Sequence, residues 1–168
     1  TFHGIYTVGS SERGKSNTRK IIPTPNKTYL DDTHFLLTEV FKKQGYATVS
    51  IGKWHLGNDP TTQGVDINIA GTRGGSPGRG GYFSPYQNPK LPDGPKGEYL
   101  TDRLGAEAVR FIEAHKDQSF FLYLPFFSVH TPIQGKPELV EKYVNRDDVN
   151  PAYAAMVESL DQNVGRVM

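Results

Sequence analysis

Lys53 and His55 flank Trp54 and are bracketed by Gly52 and Gly57, so a fixed cation and a proton carrier share one short turn. An ammonium is a compact point charge suited to anionic oxygens. An imidazole near its ordinary pKa takes and returns a proton close to neutral pH. A second imidazole, His130, follows the apolar run Phe120 to Leu124. Taken singly, Lys53 reads as a solvated loop lysine, Trp54 as a core anchor and His130 as a structural histidine. What they do together depends on the elements that position them.

The pattern before the turn predicts a helix over residues 33–44. Asp32 or Thr33 is placed to cap its start, Leu36, Leu37, Val40 and Phe41 fall on one face, and Gly45 stands where a C-terminal cap belongs. Tyr46 to Ile51 is short, apolar and β-branched, as in a strand buried in a parallel sheet. In open α/β sheets ligands collect outside the carboxyl ends of strands, which is where Gly52 to Gly57 falls. Residues 58–97 read as a long irregular region with a short strand at Val65 to Ala70, and Gly71 to Gly81 is too glycine-rich for regular structure. A loop of that length is either functional or a mobile surface segment.

A second helix is expected over 99–115, with Leu100, Leu104, Ala108, Phe111 and Ile112 on one side. Phe120 to Leu124 reads as another central strand, and 136–143 as a short helix with Pro137 in its first turn. The last helix carries a stripe of Tyr153, Met156, Val157, Leu160, Val164 and Val167. Strands alternating with helices give an α/β class, a mainly parallel sheet flanked by helices. His130 then lies at the same sheet edge as Lys53 and His55, with Pro132 biasing Thr131 toward extended geometry.

Composition sets bounds. The 168 residues are 36% hydrophobic and 22% charged, as in an ordinary soluble domain with one core. A net charge of +1 argues against an electrostatic nucleic-acid binder. No apolar run reaches the roughly 18 residues that cross a bilayer, so no membrane partner is expected. There is no Cys, and the five His show no zinc spacing; His3, His34 and His115 have no motif around them. Gly9 to Ser16 satisfies the phosphate-loop pattern Gly-x-x-x-x-Gly-Lys-Ser. Pro23 and Pro25 cut short any helix after it, and no later strand ends in a magnesium-binding Asp, so nucleotide binding is set aside. Asn26-Lys27-Thr28 is a glycosylation sequon, a pattern frequent by chance.

Gly45-Tyr46-Ala47-Thr48-Val49-Ser50-Ile51-Gly52-Lys53-Trp54-His55-Leu56-Gly57 resembles the second signature of the sulfatases, within the alkaline-phosphatase-like superfamily. Phe120 to Pro132 resembles that family's next strand and substrate-side histidine, and Tyr153 to Gly165 its following helix. The resemblance implies a sulfuric ester hydrolase with a formylglycine nucleophile and a calcium ion. Lys53 matches the lysine that contacts sulfate and formylglycine, and His55 the residue that hydrogen-bonds the formylglycine hydroxyl and helps expel sulfate. His130 matches the histidine that binds the ester and protonates the leaving oxygen. Arg73 and Arg79, in the loop that lines such pockets, are candidates for meeting anionic groups of the substrate.

The sequence departs from the family at two points. It has no Cys/Ser-x-Pro-x-Arg motif, and neither the Asp pair nor the Asp-Asn pair that binds calcium is recognisable. Thr1 to Tyr6 resembles the segment that follows the nucleophile motif. The chain is therefore expected to be the central part of one sulfatase catalytic domain, truncated at both ends, with nucleophile and metal ligands elsewhere and no turnover by itself. Its substrate would be a sulfated small molecule or sulfated glycan, and its compartment periplasmic, secreted or lysosomal. A phosphate or phosphonate ester hydrolase of the same superfamily, and a non-catalytic carbohydrate-binding domain on this scaffold, are the alternatives.

Overall fold

The computed structural model describes Ile5 and residues 26–168. The phosphate-loop pattern at 9–16 lies outside the described residues, as does His3. The elements run α1 (Leu37–Lys43), β1 (Ala47–Ile51), a 3-10 turn (Pro60–Gln63), β2 (Ile67–Ile69), α2 (Leu100–His115), β3 (Phe120–Tyr123), α3 (Pro137–Tyr143) and α4 (Pro151–Val167). The three strands form a sheet in the order β2-β1-β3. Both pairings are parallel, with Val49 opposite Ile67 on one side and Leu122 on the other. The sequence-expected α/β class holds, and all three strands end at the same edge.

β1 is the buried centre of the sheet, with Thr48, Val49, Ser50 and Ile51 fully enclosed. α2 covers it with Leu100, Leu104, Ala108 and Phe111, the expected face, and Phe111 meets Phe120 edge to face at 5.7 Å. β3 is only half-buried and ends in an exposed Tyr123.

Three expectations are corrected, for α1, α4 and the region 58–97. α1 begins later than expected, with Leu36 at its N-cap; the carboxylate of Glu39 reaches back to accept the Leu36 N–H at 2.8 Å. Asp31 instead closes the preceding turn by accepting the Thr33 N–H. Leu37 and Val40 are exposed, whereas Phe41 stacks on Phe121 at 4.4 Å and Thr38 is buried, donating to the Gln63 carbonyl.

In α4 the apolar stripe is not the buried face. Tyr153, Val157 and Val164 are exposed, and the buried residues are Ala155, Met156, Ser159 and Asn163. The reason is a polar seam between α2 and α4. The Asp102 carboxylate accepts from Asn163 Nδ2 at 2.7 Å and Ser159 Oγ at 3.4 Å, and pairs with Lys136 Nζ at 3.0 Å. These bonds pair the α4 amide and hydroxyl, both buried, with the Asp102 carboxylate of α2, so the polar atoms of α4 face inward satisfied.

The region 58–97 packs although it has little regular structure. Tyr82 and Tyr86 are fully enclosed, Leu91 is buried, and Pro77 is among the fully buried side chains. Side chains replace the missing ladder bonds: Asn68 binds both the N–H and the carbonyl of Gly71, and Asp93 accepts the Tyr86 N–H at 2.6 Å. The reading of this stretch as a mobile surface loop does not fit such burial.

Candidate active site

The segments leaving the three strands are tied to one another. Gly52 N–H donates to Ile69 O at 2.8 Å, Lys53 N–H to Pro125 O at 2.7 Å, and His55 N–H to Thr72 O at 3.0 Å. One stretch of backbone thus bonds the exits of both neighbouring strands. Gly52 makes this possible: its φ is +116°, and a Cβ there would collide with the Pro125 carbonyl. Lys53, His55, Arg73 and His130 therefore all follow strands at the carboxyl edge of the sheet.

His55 adopts φ +61°, a left-handed backbone that histidine tolerates better than most residues but that still carries a cost. Its Nδ1 is buried without a hydrogen-bond partner, as are Ser50 Oγ and Trp54 Nε1 among the described residues. All three lie at the end of β1 or in the turn beyond it. With Nδ1 enclosed, Nε2 is the nitrogen left to work. Burial first, then the positive charges of Lys53 and His130, hold the His55 pKa below its ordinary 6.5. The two other basic groups act electrostatically on this imidazole, and all three belong to one local field.

His130 sits in the exposed turn after β3. Its N–H donates to Phe127 O at 2.9 Å, and its Nδ1 lies 2.7 Å from the Thr131 carbonyl. A carbonyl only accepts, so Nδ1 carries hydrogen, which leaves Nε2 as the nitrogen available for exchange. The Tyr82 hydroxyl donates to the His130 carbonyl at 2.9 Å, and the Tyr82 N–H to Gln134 Oε1 at 2.9 Å. Burial pushes the Tyr82 phenol up to about 12, so it remains a donor at physiological pH. No carboxylate among the described residues pairs with Lys53, His55 or His130.

The two arginines separate. Arg73 Nη2 donates to Thr28 Oγ1 at 3.2 Å and lines a cavity of about 460 Å³ with Tyr29, Asp31, Asp32 and Asp59. Asp59 is already engaged, holding Lys90 at 2.6 Å and capping the 3-10 turn, and the lysine bond helps bring its pKa down to about 2. Arg73 thus faces an acidic wall. Arg79 is exposed, and the structure brings it to no partner among the described residues. Tyr82, Gln134 and Thr72, which fix the backbone around the two histidines, carried no signal in the sequence because their roles run through backbone atoms of distant segments. Among the described residues no group of three or more His, Cys, Asp or Glu could hold a metal ion.

The Sulfatase family model matches residues 9–168. A sulfatase of Formosa agariphila is 31% identical over 220 residues, covering 99% of this chain and 39% of that protein. Arylsulfatase J of Mus musculus is 32% identical over 166 residues, covering 88% of this chain and 27% of that protein. The crystal structure of Ps i-CgsB in complex with k-i-k-neocarrahexaose superposes with a TM-score of 0.67 at 25% identity, covering 98% of this chain and 38% of that one. This chain spans under two-fifths of the length of these curated relatives. The shared architecture is a parallel sheet flanked by helices, the alkaline-phosphatase-like fold. With residue pattern, sheet topology and relatives agreeing over almost its whole length, the chain belongs to the Sulfatase family.

Proposed function

We propose that the full-length protein is a sulfuric ester hydrolase and that Lys53, His55 and His130 serve it at the carboxyl edge of the sheet. The supporting observation is a half-buried Lys53 beside two imidazoles, with no described carboxylate to balance them. Such an unbalanced basic edge suits an anionic ester. Lys53 holds the sulfuryl oxygens as a point charge. His130 gives a proton from Nε2 to the leaving oxygen as the bond from sulfur to that oxygen breaks. His55, its pKa held below 6.5 and so neutral near pH 7, accepts at Nε2 the proton that the nucleophile's hydroxyl gives up as its oxygen bonds to sulfur. Overall, water and the sulfate ester become an alcohol and hydrogen sulfate.

The nucleophile is a formylglycine encoded outside this chain, so the 168 residues alone give no turnover. A calcium ion would be held by residues other than the described ones, which offer no group of three or more metal-ligating side chains, and would supply positive charge to the sulfate and nucleophile. The substrate is a sulfated glycan or a smaller sulfate ester; the relative solved with a neocarrahexaose supports the glycan. Among the described residues no helix is long and apolar enough to cross a membrane. The compartment we propose is periplasmic, secreted or lysosomal.

A chromogenic aryl sulfate, with the matching aryl phosphate alongside, tests this on the full-length protein with and without chelator. Sulfate hydrolysis should dominate and be lost with chelator. His55→Ala and Lys53→Ala should each lower kcat by about 10²–10⁴-fold with a smaller change in KM. Unchanged turnover in both variants removes the assigned roles, and preferential phosphate hydrolysis replaces the reaction.

A further inference from the structure

The glycine-rich stretch between β2 and α2 comes closer to His55 than any surface loop would need to. A Cβ added at Gly75 would overlap the imidazole at Nδ1 and Cε1 and lie 3.0 Å from Cγ. The Gly75 Cα therefore rests against the face of the ring. Its φ lies in the region open to any residue, so glycine is needed there for space and not for backbone freedom. The neighbouring Gly74 is different: a Cβ there would meet only Thr72 Oγ1, at 3.3 Å.

The segment is held at both ends and cannot back away. Upstream, Thr72 O accepts the His55 N–H at 3.0 Å. Downstream, Tyr82 is fully buried, bonded through its hydroxyl to the His130 carbonyl and through its N–H to Gln134. The Leu100 N–H at the start of α2 donates to Tyr82 O at 2.8 Å. A side chain at position 75 must therefore displace the partly buried imidazole, a side chain free to rotate, before it moves the backbone.

We infer that Gly75 is a positioning residue for His55: its missing side chain lets segment 72–82 lie on the imidazole, close Nδ1 from water and leave Nε2 as the working nitrogen. The inference rests on the proposed role of His55 in proton transfer. It adds that the same segment holds the backbone of both histidines, His55 through Thr72 and His130 through Tyr82, with Gly75 alone against a ring. The charged groups acting on His55 are Lys53 from its own turn and His130 from the turn after β3; the bracing segment adds none at Gly75.

Histidine Cε1–H NMR titrations of the full-length protein test it directly, comparing wild type, Gly75→Ala and Gly74→Ala. In Gly75→Ala the ring is pushed toward water, so the His55 midpoint should rise toward its ordinary value, with the amide spectrum otherwise retained; Gly74→Ala should leave it unmoved. In the full-length enzyme the acid limb of the kcat/KM profile should move up with it and kcat fall about 10²-fold. A His55 midpoint unmoved by Gly75→Ala, or moved equally by Gly74→Ala, overturns the inference. A midpoint that rises while hydrolysis is unchanged keeps Gly75 as the positioning residue and removes His55 from the chemistry.

Discussion

At the residue scale, His55 records the field around it. Burial and the charges of Lys53 and His130 disfavour its cationic form, so its titration falls below 6.5. Removing one of those charges must relieve it in part: in Lys53→Ala the His55 midpoint should rise, and NMR titration of that variant reads it. An unchanged midpoint would mean that the ammonium points away from the imidazole. The same shift links to stability. Below 6.5 the unfolded chain binds a proton at His55 more readily than the folded one, so this contribution is present above 6.5 and lost as pH falls through the lowered folded value.

At the element scale, the polar seam between α2 and α4 governs how the last helix packs. Asn163 is buried and donates to Asp102 and to the Ser159 carbonyl, at 2.7 and 2.8 Å. Asn163→Ala should cost about 1–3 kcal/mol in urea unfolding, because the carboxylate loses its closest donor. A cost near zero would show that water replaces the amide. Gly52→Ala should be destabilising by a similar or larger amount, since it combines a left-handed φ with a collision at the Pro125 carbonyl.

These elements also show what the sequence made legible. Strand β1 and helix α2 were readable because apolar pattern and burial coincide in them, whereas the apolar run of β3, expected as a central strand, is a half-buried strand at the end of the described sheet. The buried face of α4 was not, because Ser159 and Asn163 turn inward only once Asp102 is across from them. The packing of 58–97 was hidden for a related reason. Its order comes from side-chain bonds such as Asn68 to Gly71 and Tyr82 to His130, which no local periodicity announces. Lys53, His55 and His130 could be placed at one edge from the strand pattern alone, whereas Arg73 and Arg79 could not be told apart until the loop was folded.

At the scale of the whole molecule, the described fold is a scaffold that ties three strand exits together and leaves Lys53, His55 and His130 without a described carboxylate partner. The purified 168-residue chain should not hydrolyse an aryl sulfate, and detectable turnover by it would refute an external nucleophile. Binding is a separate matter. An anion seated among Lys53, His55 and His130 would offset the repulsion that lowers the His55 pKa. The most direct measurement is therefore the His55 and His130 titration midpoints of this chain with and without saturating inorganic sulfate at constant ionic strength. Both should move upward together, with the same apparent affinity. Midpoints that ignore sulfate, or that respond with unrelated affinities, would contradict a shared site for one anionic ester.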